Sequence, residues 1–436
     1  STTRLETAFD VTAHEDVVIL DEQMIEDRLT SFDPAAGEYR FQGSVDEVHE
    51  LDIGSPVVID GAGFGIVRAV VDDAGDTVLQ VGEATLGDVI ETGTMEWDYD
   101  ISWTDFEIIF EESTDLSSVV PLQLPDGRFA VAAPRFDGLL AVAEMPAASD
   151  GRQADSEAQE SRKTAIEFDH QGWKFKLEME PKGEKLHFGI TGSFGVGNTV
   201  AQASISGKGW ISGFNYSSVL EYDGGAPSDM STEINGLQGE MELQWAAFRT
   251  PQQALSELVR FSVPLTLPIP LPGPAGIPLM LQMKMAGRIV PELSALESSS
   301  GGTWKVTYSS DQGFNVDNDG GGLPVGVLKS DSIDTAGETA TAGHGPAGFG
   351  LGLEFPRFEL GFAGLDPFAF VTLDMYSTSL WTPGTLLTGD IPPCQYGYTT
   401  LSAIAGYKLK VLGWAGLSDQ YTLWEKQVDK YLDGKR

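Results

Sequence analysis

Along most of this chain, apolar side chains recur at every second position. Trp173, Phe175, Leu177 and Met179 alternate with Lys174, Lys176 and Glu178, and Leu186, Phe188 and Ile190 continue the pattern after a Lys182-Gly183-Glu184-Lys185 turn. The same period holds through Met241, Leu243 and Trp245, through Leu279, Leu281, Met283 and Met285, and through Ala369, Val371, Leu373 and Met375. It returns at Leu401, Ala403, Ala405, Tyr407, Leu409 and Val411. Successive side chains of a strand point to opposite faces, so this alternation predicts half-buried strands; their number, with Gly-rich turns between them, predicts an antiparallel sandwich or barrel.

The first hundred residues read differently. Val17–Leu20 predicts a short buried strand, and Met24, Ile25 and Leu29 fall at helical spacing behind Asp21, a candidate cap. Ser44 followed by Glu47 has the spacing of a capping box for a short helix to Leu51. Val57–Ile59, Gly65–Val71 and Thr77–Val81 read as strands, the last two joined by a Gly-containing turn; Ala84–Ile90 reads as a helical turn. Met95, Trp97, Tyr99, Ile101 and Trp103 then alternate with polar residues as one more strand.

Three stretches here, Leu51-Asp-Ile-Gly-Ser-Pro-Val-Val-Ile, Gly65-Ile-Val-Arg-Ala-Val and Val78-Leu-Gln-Val-Gly-Glu-Ala-Thr-Leu, resemble a module of uncharacterised, large secreted bacterial β-rich proteins. The resemblance covers about residues 17–105. It implies an extracellular or cell-surface location and carries no catalytic residue with it.

Residues 146–163 contain no large apolar side chain and cannot offset the entropy of ordering, so they are expected to be a polar linker. The expected organisation is an acidic α+β domain over 1–145, the linker, and a large antiparallel β domain over 164–436. One segment departs from period two: Leu417, Tyr421, Trp424, Val428 and Tyr431 are spaced four, three, four and three, behind Ser418 and Asp419. That spacing predicts a C-terminal amphipathic helix over about 417–432. The fold class expected is therefore mainly β, with a small α+β domain before a sandwich or barrel.

Charge changes the picture of partners. The chain of 436 residues holds 65 acidic against 27 basic residues, a net charge of −38, and Lys163 is its first lysine. Such a field repels phosphate backbones and anionic membranes, which excludes nucleic acid as a main partner. Self-repulsion in a salty setting and the collection of calcium or other cations both remain open as reasons for the acidity. The single cysteine, Cys394, has no partner for an intramolecular disulfide and reads as a buried, inert thiol. No apolar run is long enough for a transmembrane helix. Nothing at the amino end reads as a signal peptide, and the start at Ser1 reads as a processed end.

Candidate chemistry is sparse. Glu178 with Glu180, and Glu240 with Glu242, each share a strand face about 7 Å apart, the separation an inverting glycosidase gives its acid and base. Asn315, Asp317 and Asp319, followed by Gly320, place oxygen ligands as the first half of a calcium loop does, although Gly326 stands where the closing Glu belongs. The stretch 263–278 alternates prolines with aliphatics. Pro264, Leu265, Leu267, Ile269, Leu271 and Ile277 make it an edge strand, a polyproline-like crossover buried over one end of the sheet, a docking arm for another subunit or the wall of an apolar groove beside Met280, Met283 and Met285. The five histidines show no zinc spacing, no Gly-x-Ser-x-Gly elbow occurs, and Gly348, Gly350 and Gly352 read as closely approached strand backbone. Trp97, Tyr99 and Trp103 are core residues or sugar-stacking surfaces. The leading expectation is a non-catalytic extracellular or cell-surface protein, structural or adhesive and self-assembling. A secreted polysaccharide hydrolase and a carrier of an apolar ligand between sheets are the alternatives.

Overall fold

The protein's structure is a computed structural model that describes residues 5–33, 36–103, 107–111, 121–123, 129–131, 140–144, 164–195, 201–249, 259–271, 277, 279–293, 298–317, 322–334, 340–343, 347–362, 367–382, 394–413 and 418–432. It is mainly β: among these residues two short α-helices accompany 27 strands.

The N-terminal region divides between two sheets. β2 (Val18–Leu20), β3 (Leu29–Asp33), β4 (Glu38–Phe41), β5 (Pro56–Ile59), β6 (Gly63–Asp73) and β7 (Asp76–Gly82) form a small sheet in the order β2-β5-β6-β7-β4-β3. Its core of Leu20, Phe32, Tyr39, Phe41, Val48, Val57, Ile59, Leu79 and their neighbours is separate from that of the rest of the chain. Ala74 and Gly75 join β6 to β7 with φ of 57° and 98°, the left-handed pair that a two-residue hairpin needs to match strand twist. Helix α1 (Glu22–Arg28) is capped as expected, the Met24 amide donating to the Asp21 carboxylate at 2.8 Å.

Helix α2 (Asp46–His49) lacks the expected Ser44 box, because its entry chain is strapped to β7 instead. The Gly43 amide donates to Asp76 at 3.1 Å and the Val45 amide to the Thr77 hydroxyl at 3.2 Å. A reciprocal capping box forms at Thr85 and Asp88, around the 3-10 turn Leu86–Asp88 within the segment expected to turn.

β1 (Leu5–Ala13) and β8 (Ile90–Ile101) leave the small sheet and join the large one. That sheet also holds β13 (Thr164–His170), β14 (Trp173–Lys182), β15 (Lys185–Phe194), β16 (Ala201–Ser212), β17 (Phe214–Asp223), β18 (Ala226–Arg249), β21 (Ser298–Asp317), β22 (Gly322–Asp334) and β23 (Ala340–Gly343). β8 pairs β17 from Ile101↔Phe214 to Gly93↔Tyr222, so strands from before and after the expected linker 146–163, which lies outside the described residues, share one sheet. β18 organises the branching. Its 24 residues extend about 80 Å. One edge pairs β17 and then β16, and the other edge pairs β21 throughout. Gly236, at φ 74°, marks the register shift between the two halves. Two small pairs lie elsewhere, β9 (Glu107–Glu111) with β12 (Leu140–Glu144) and β10 (Pro121–Gln123) with β11 (Phe129–Val131).

A second antiparallel sheet runs β19-β20-β24-β25-β26-β27, from β19 (Val259–Leu271), β20 (Leu279–Leu293), β24 (Ala347–Phe362), β25 (Ala369–Thr382) and β26 (Cys394–Lys408) to β27 (Ser418–Leu432). Aromatic rings of the two sheets meet between them: Phe188 with Phe355 at 4.5 Å, Phe214 with Phe358 at 4.6 Å, and Trp245 with Phe349 at 6.2 Å. The alternating residues named from the sequence line this shared core, apart from Leu279, whose side chain lies outside the described residues, and Val411, which packs against it. Leu409 and Val411 belong to a 3-10 turn, Leu409–Leu412, and not to the strand expected there.

β27 corrects the expected C-terminal helix. Tyr421 faces Ala405 and Trp424 faces Ala403, with Leu423 inserted as an extra residue between them. The insertion turns the step of two before Trp424 into a step of three, the step of four from Trp424 to Val428 is two strand periods, and the step of three from Val428 to Tyr431 runs in unbroken register and changes face. A bulged strand thus imitates helical spacing. Cys394, expected to be buried, is exposed at the start of β26.

Candidate functional site

The four glutamates proposed as acid–base pairs come to one face of the large sheet. Across the register, Glu178, Gly189, Lys208, Glu242 and Lys305 form one row, and Glu180, His187, Trp210, Glu240 and Thr307 the next. Glu178 and Glu242 are three strands apart, about 14 Å, too far to share a substrate atom. Lysines interleave with them: Lys176 lies 3.0 Å from Glu178, Lys208 3.3 Å from Glu242 and Lys305 2.7 Å from Glu240. The hydrogen bond to Glu178 raises the Lys176 pKa, keeping that lysine charged. The Lys185 ammonium sits 3.4 Å from the centre of the Trp210 ring, a cation–π contact on the same face. Burial lowers the pKa of His187, against the opposing pull of Glu180. The arrangement is an alternating ladder of charges on a solvated face. A general acid for glycoside cleavage needs a carboxyl kept protonated by its surroundings, and a lysine at contact distance favours the opposite state.

The calcium candidate is a strand where it is described. Asn315 pairs Leu323 and Ser231, and Asp317 pairs Asp229, within continuous antiparallel ladders. A strand holds its residues in line, whereas a calcium loop must wrap the ion. Asp319 lies outside the described residues. Among the described residues no three His, Cys, Asp or Glu side chains gather closely enough to hold a metal.

The Pro-rich segment is an edge strand. β19 carries Pro264, Leu265, Leu267, Ile269 and Leu271 and pairs β20, with a register shift between Val263 and Thr266 that accommodates Pro264 and Leu265. Ile277 is fully buried in the shared core. Trp97, Tyr99 and Trp103 are likewise core residues. Gly350 and Gly352 are approached as expected: a side chain there would run into Tyr376 and Arg288.

Two groups of residues escaped the sequence reading. On the outer face of the second sheet, Glu359 is 5% exposed and lies 2.6 Å from Lys284 and 2.6 Å from Arg357, which also contacts Glu354 and stacks 4.0 Å from the Phe370 ring centre. Burial pushes the Glu359 pKa up, but Lys284 and Arg357 together outweigh it and hold the carboxyl below the usual range. Beside this cluster Arg288 bonds Asp374 at 2.9 Å and lies over the Tyr376 ring.

The second group faces the space between the sheets. β21 points Trp304, Val306, Tyr308, Ser310 and Gln312 inward in strict alternation, and all five are buried. The Ser310 hydroxyl, both amide atoms of Gln312 and the indole nitrogens of Trp304 and Trp424 have no hydrogen-bond partner. The Tyr216 hydroxyl, one row position from Gln312 across Ile234, adjoins the mutually bonded Ser218 and Thr232 without completing a hydrogen bond of normal geometry. Each unpaired buried group costs about 1–3 kcal/mol. Only parity along β21 could have revealed Gln312, and the polar run Ser309-Ser310-Asp311-Gln312 concealed which residues face inward.

No family model matches the chain, and no curated protein or solved structure matches it either.

Proposed function

We propose that the protein is a non-catalytic extracellular or cell-surface protein, structural or adhesive, that self-associates through its β body. The observation that carries this reading is the charge ladder. The carboxylates best suited by sequence to acid–base chemistry are spread over a flat solvated face and interleaved with lysines, which suits a persistent surface rather than proton transfer. Strands of 20 and 24 residues, β21 and β18, add an extended body that a small enzyme site does not require. The reading takes the two facing sheets as the halves of a sandwich, their interior filled by the aromatic contacts between them. The location rests on the resemblance of residues 17–105 to secreted bacterial proteins.

The test is sizing chromatography with negative-stain microscopy, with and without EDTA, beside an assay of sugar release from polysaccharides. Assemblies that persist, without sugar release, support the reading. A strict monomer under all conditions sinks the self-association, and sugar release abolished by Glu178→Gln or Glu240→Gln restores the hydrolase.

A further inference from the structure

We propose that the seam between β21–β22 and β26–β27 is a binding site for a small uncharged molecule that carries a hydrogen-bond donor beside an acceptor, as a primary amide does. Gln312 anchors it. This side chain is 1% exposed, and both its amide donor and its amide acceptor are unpaired. Ser310, fully buried two residues away on the same face of β21, adds an unpaired hydroxyl that can donate or accept.

The opposite wall comes from the second sheet. Gln312 is the register partner of Gly326, and a Cβ at Gly326 would meet that of Leu423 at 2.8 Å. Leu423 precedes Trp424, whose buried indole nitrogen is a further unpaired donor. Trp424 in turn faces Ala403, and Tyr421 faces Ala405, so the wall combines small side chains with unpaired polar atoms. The Tyr407 and Tyr421 hydroxyls lie 3.4 Å apart beside it. Buried polar groups are nearly always paired in stable proteins, and a set of unpaired donors and acceptors facing one another across a seam is complementary to a molecule that satisfies them together.

The chemistry selects an uncharged ligand. Two ion pairs flank the seam, Lys426 with Asp331 at 3.4 Å and Lys329 with Asp311 at 2.5 Å, and Glu425 is exposed on the other side of the strand from its interior. An ion would enter without a counter-charge and lose its hydration. A neutral amide presents its N–H to Gln312 Oε1 and its carbonyl to Gln312 Nε2, the fit one amide makes with another. This site is independent of the surface role proposed above.

The probe is propionamide, added to the full chain and followed by saturation-transfer NMR and thermal unfolding. The wild-type protein is expected to receive transfer and to gain Tm with a saturable dependence on propionamide. Gln312→Met is expected to keep the fold and weaken the response at least about tenfold, the loss of one good hydrogen bond. Should Gln312→Met not fold, Ser310→Ala serves as the second variant, with the response reduced and the circular dichroism unchanged. Absence of any response in the wild type, or an equal response in a folded variant, overturns the site and leaves it occupied by water only.

Discussion

The buried Tyr222 hydroxyl donates to the Leu412 carbonyl at 2.6 Å, tying β17 of the large sheet to the 3-10 turn Leu409–Leu412 that follows β26 of the second sheet. The two residues are 190 positions apart, so the bond closes a long loop of chain. Burial raises the Tyr222 pKa well above its ordinary value, which keeps the proton on the donor. Tyr222→Phe leaves the carbonyl without that donor and is expected to lower unfolding free energy by about 1–3 kcal/mol. Urea denaturation checks this; an unchanged midpoint and slope would remove the bond from the account of how the sheets are joined.

The same corner is tight around glycine. A Cβ at Gly87 would collide with the Gly225 carbonyl oxygen, while the Gly225 amide donates to Glu91 at 2.7 Å and His14 Nε2 lies 3.0 Å from the Gly87 carbonyl. Gly87→Ala must displace backbone, at a cost of about 1–3 kcal/mol. Gly301→Ala, whose Cβ would sit at an ordinary 3.4 Å from the Trp245 carbonyl, is the control and is expected to stay close to wild type. Thermal unfolding of the two variants compares them.

Glu359 makes stability depend on pH. Its folded pKa is depressed, so the unfolded state binds the proton more readily, and the contribution is present above the ordinary glutamate pKa of about 4.3 and fades as pH falls through the folded value. Glu359→Gln removes the carboxylate that Lys284 and Arg357 share and is expected to cost up to about 3 kcal/mol at neutral pH, the lower end for a buried pair because both cations keep some solvent and Arg357 keeps Glu354. Denaturation of both proteins across that range should show the difference shrinking in acid; a pH-independent difference would assign the loss to packing.

Leu423 is the bulge that lets Tyr421 and Trp424 share a face. Deleting it leaves Tyr421 and Trp424 two positions apart, so a strand of unbroken period keeps both on that face, and the deletion is expected to be tolerated within about 2 kcal/mol in urea denaturation. Deleting Thr422 and Leu423 together puts the pair on opposite faces and is expected to cost at least about 2 kcal/mol, as for removing a large side chain from a core. A double deletion without loss would argue that residues 418–432 are not held in this register.

β19 is an edge whose donors are depleted. Pro268 and Pro270 stand at alternate positions, opposite Gln282 and Met280, and neither has an amide hydrogen to offer a further strand. Replacing both with Thr restores two donors on one side of the strand. The double variant is expected to associate more strongly than wild type by sizing chromatography. Unaltered association would exclude this edge as a route of assembly.

Much of the architecture was legible because it depends on parity alone. Trp173–Met179, Leu186–Ile190 and Met95–Trp103 fill the core as their alternation requires, since burying one face of a sheet fixes which residues point inward. The Asp21 cap and the β6–β7 hairpin were legible for a similar reason: each is decided by a few adjacent residues. Ser44 and Glu47 failed because Asp76 and Thr77, some thirty residues on, hold the Gly43 and Val45 amides on either side of Ser44, and the helix starts from Val45 as its N-cap instead.

The sequence by itself determined that this chain is mainly strand, which faces its strands bury and that acidic charge dominates its surface. Tertiary structure alone decided that β1 and β8 cross into the sheet of the later strands, and that residues 418–432 are a bulged strand. It also decided that Gln312 and Ser310 face inward with their polar atoms unpaired. The division has one physical cause. Alternation is a property of consecutive residues, whereas strand partners, bulges and the company of a buried amide depend on segments far away in the chain.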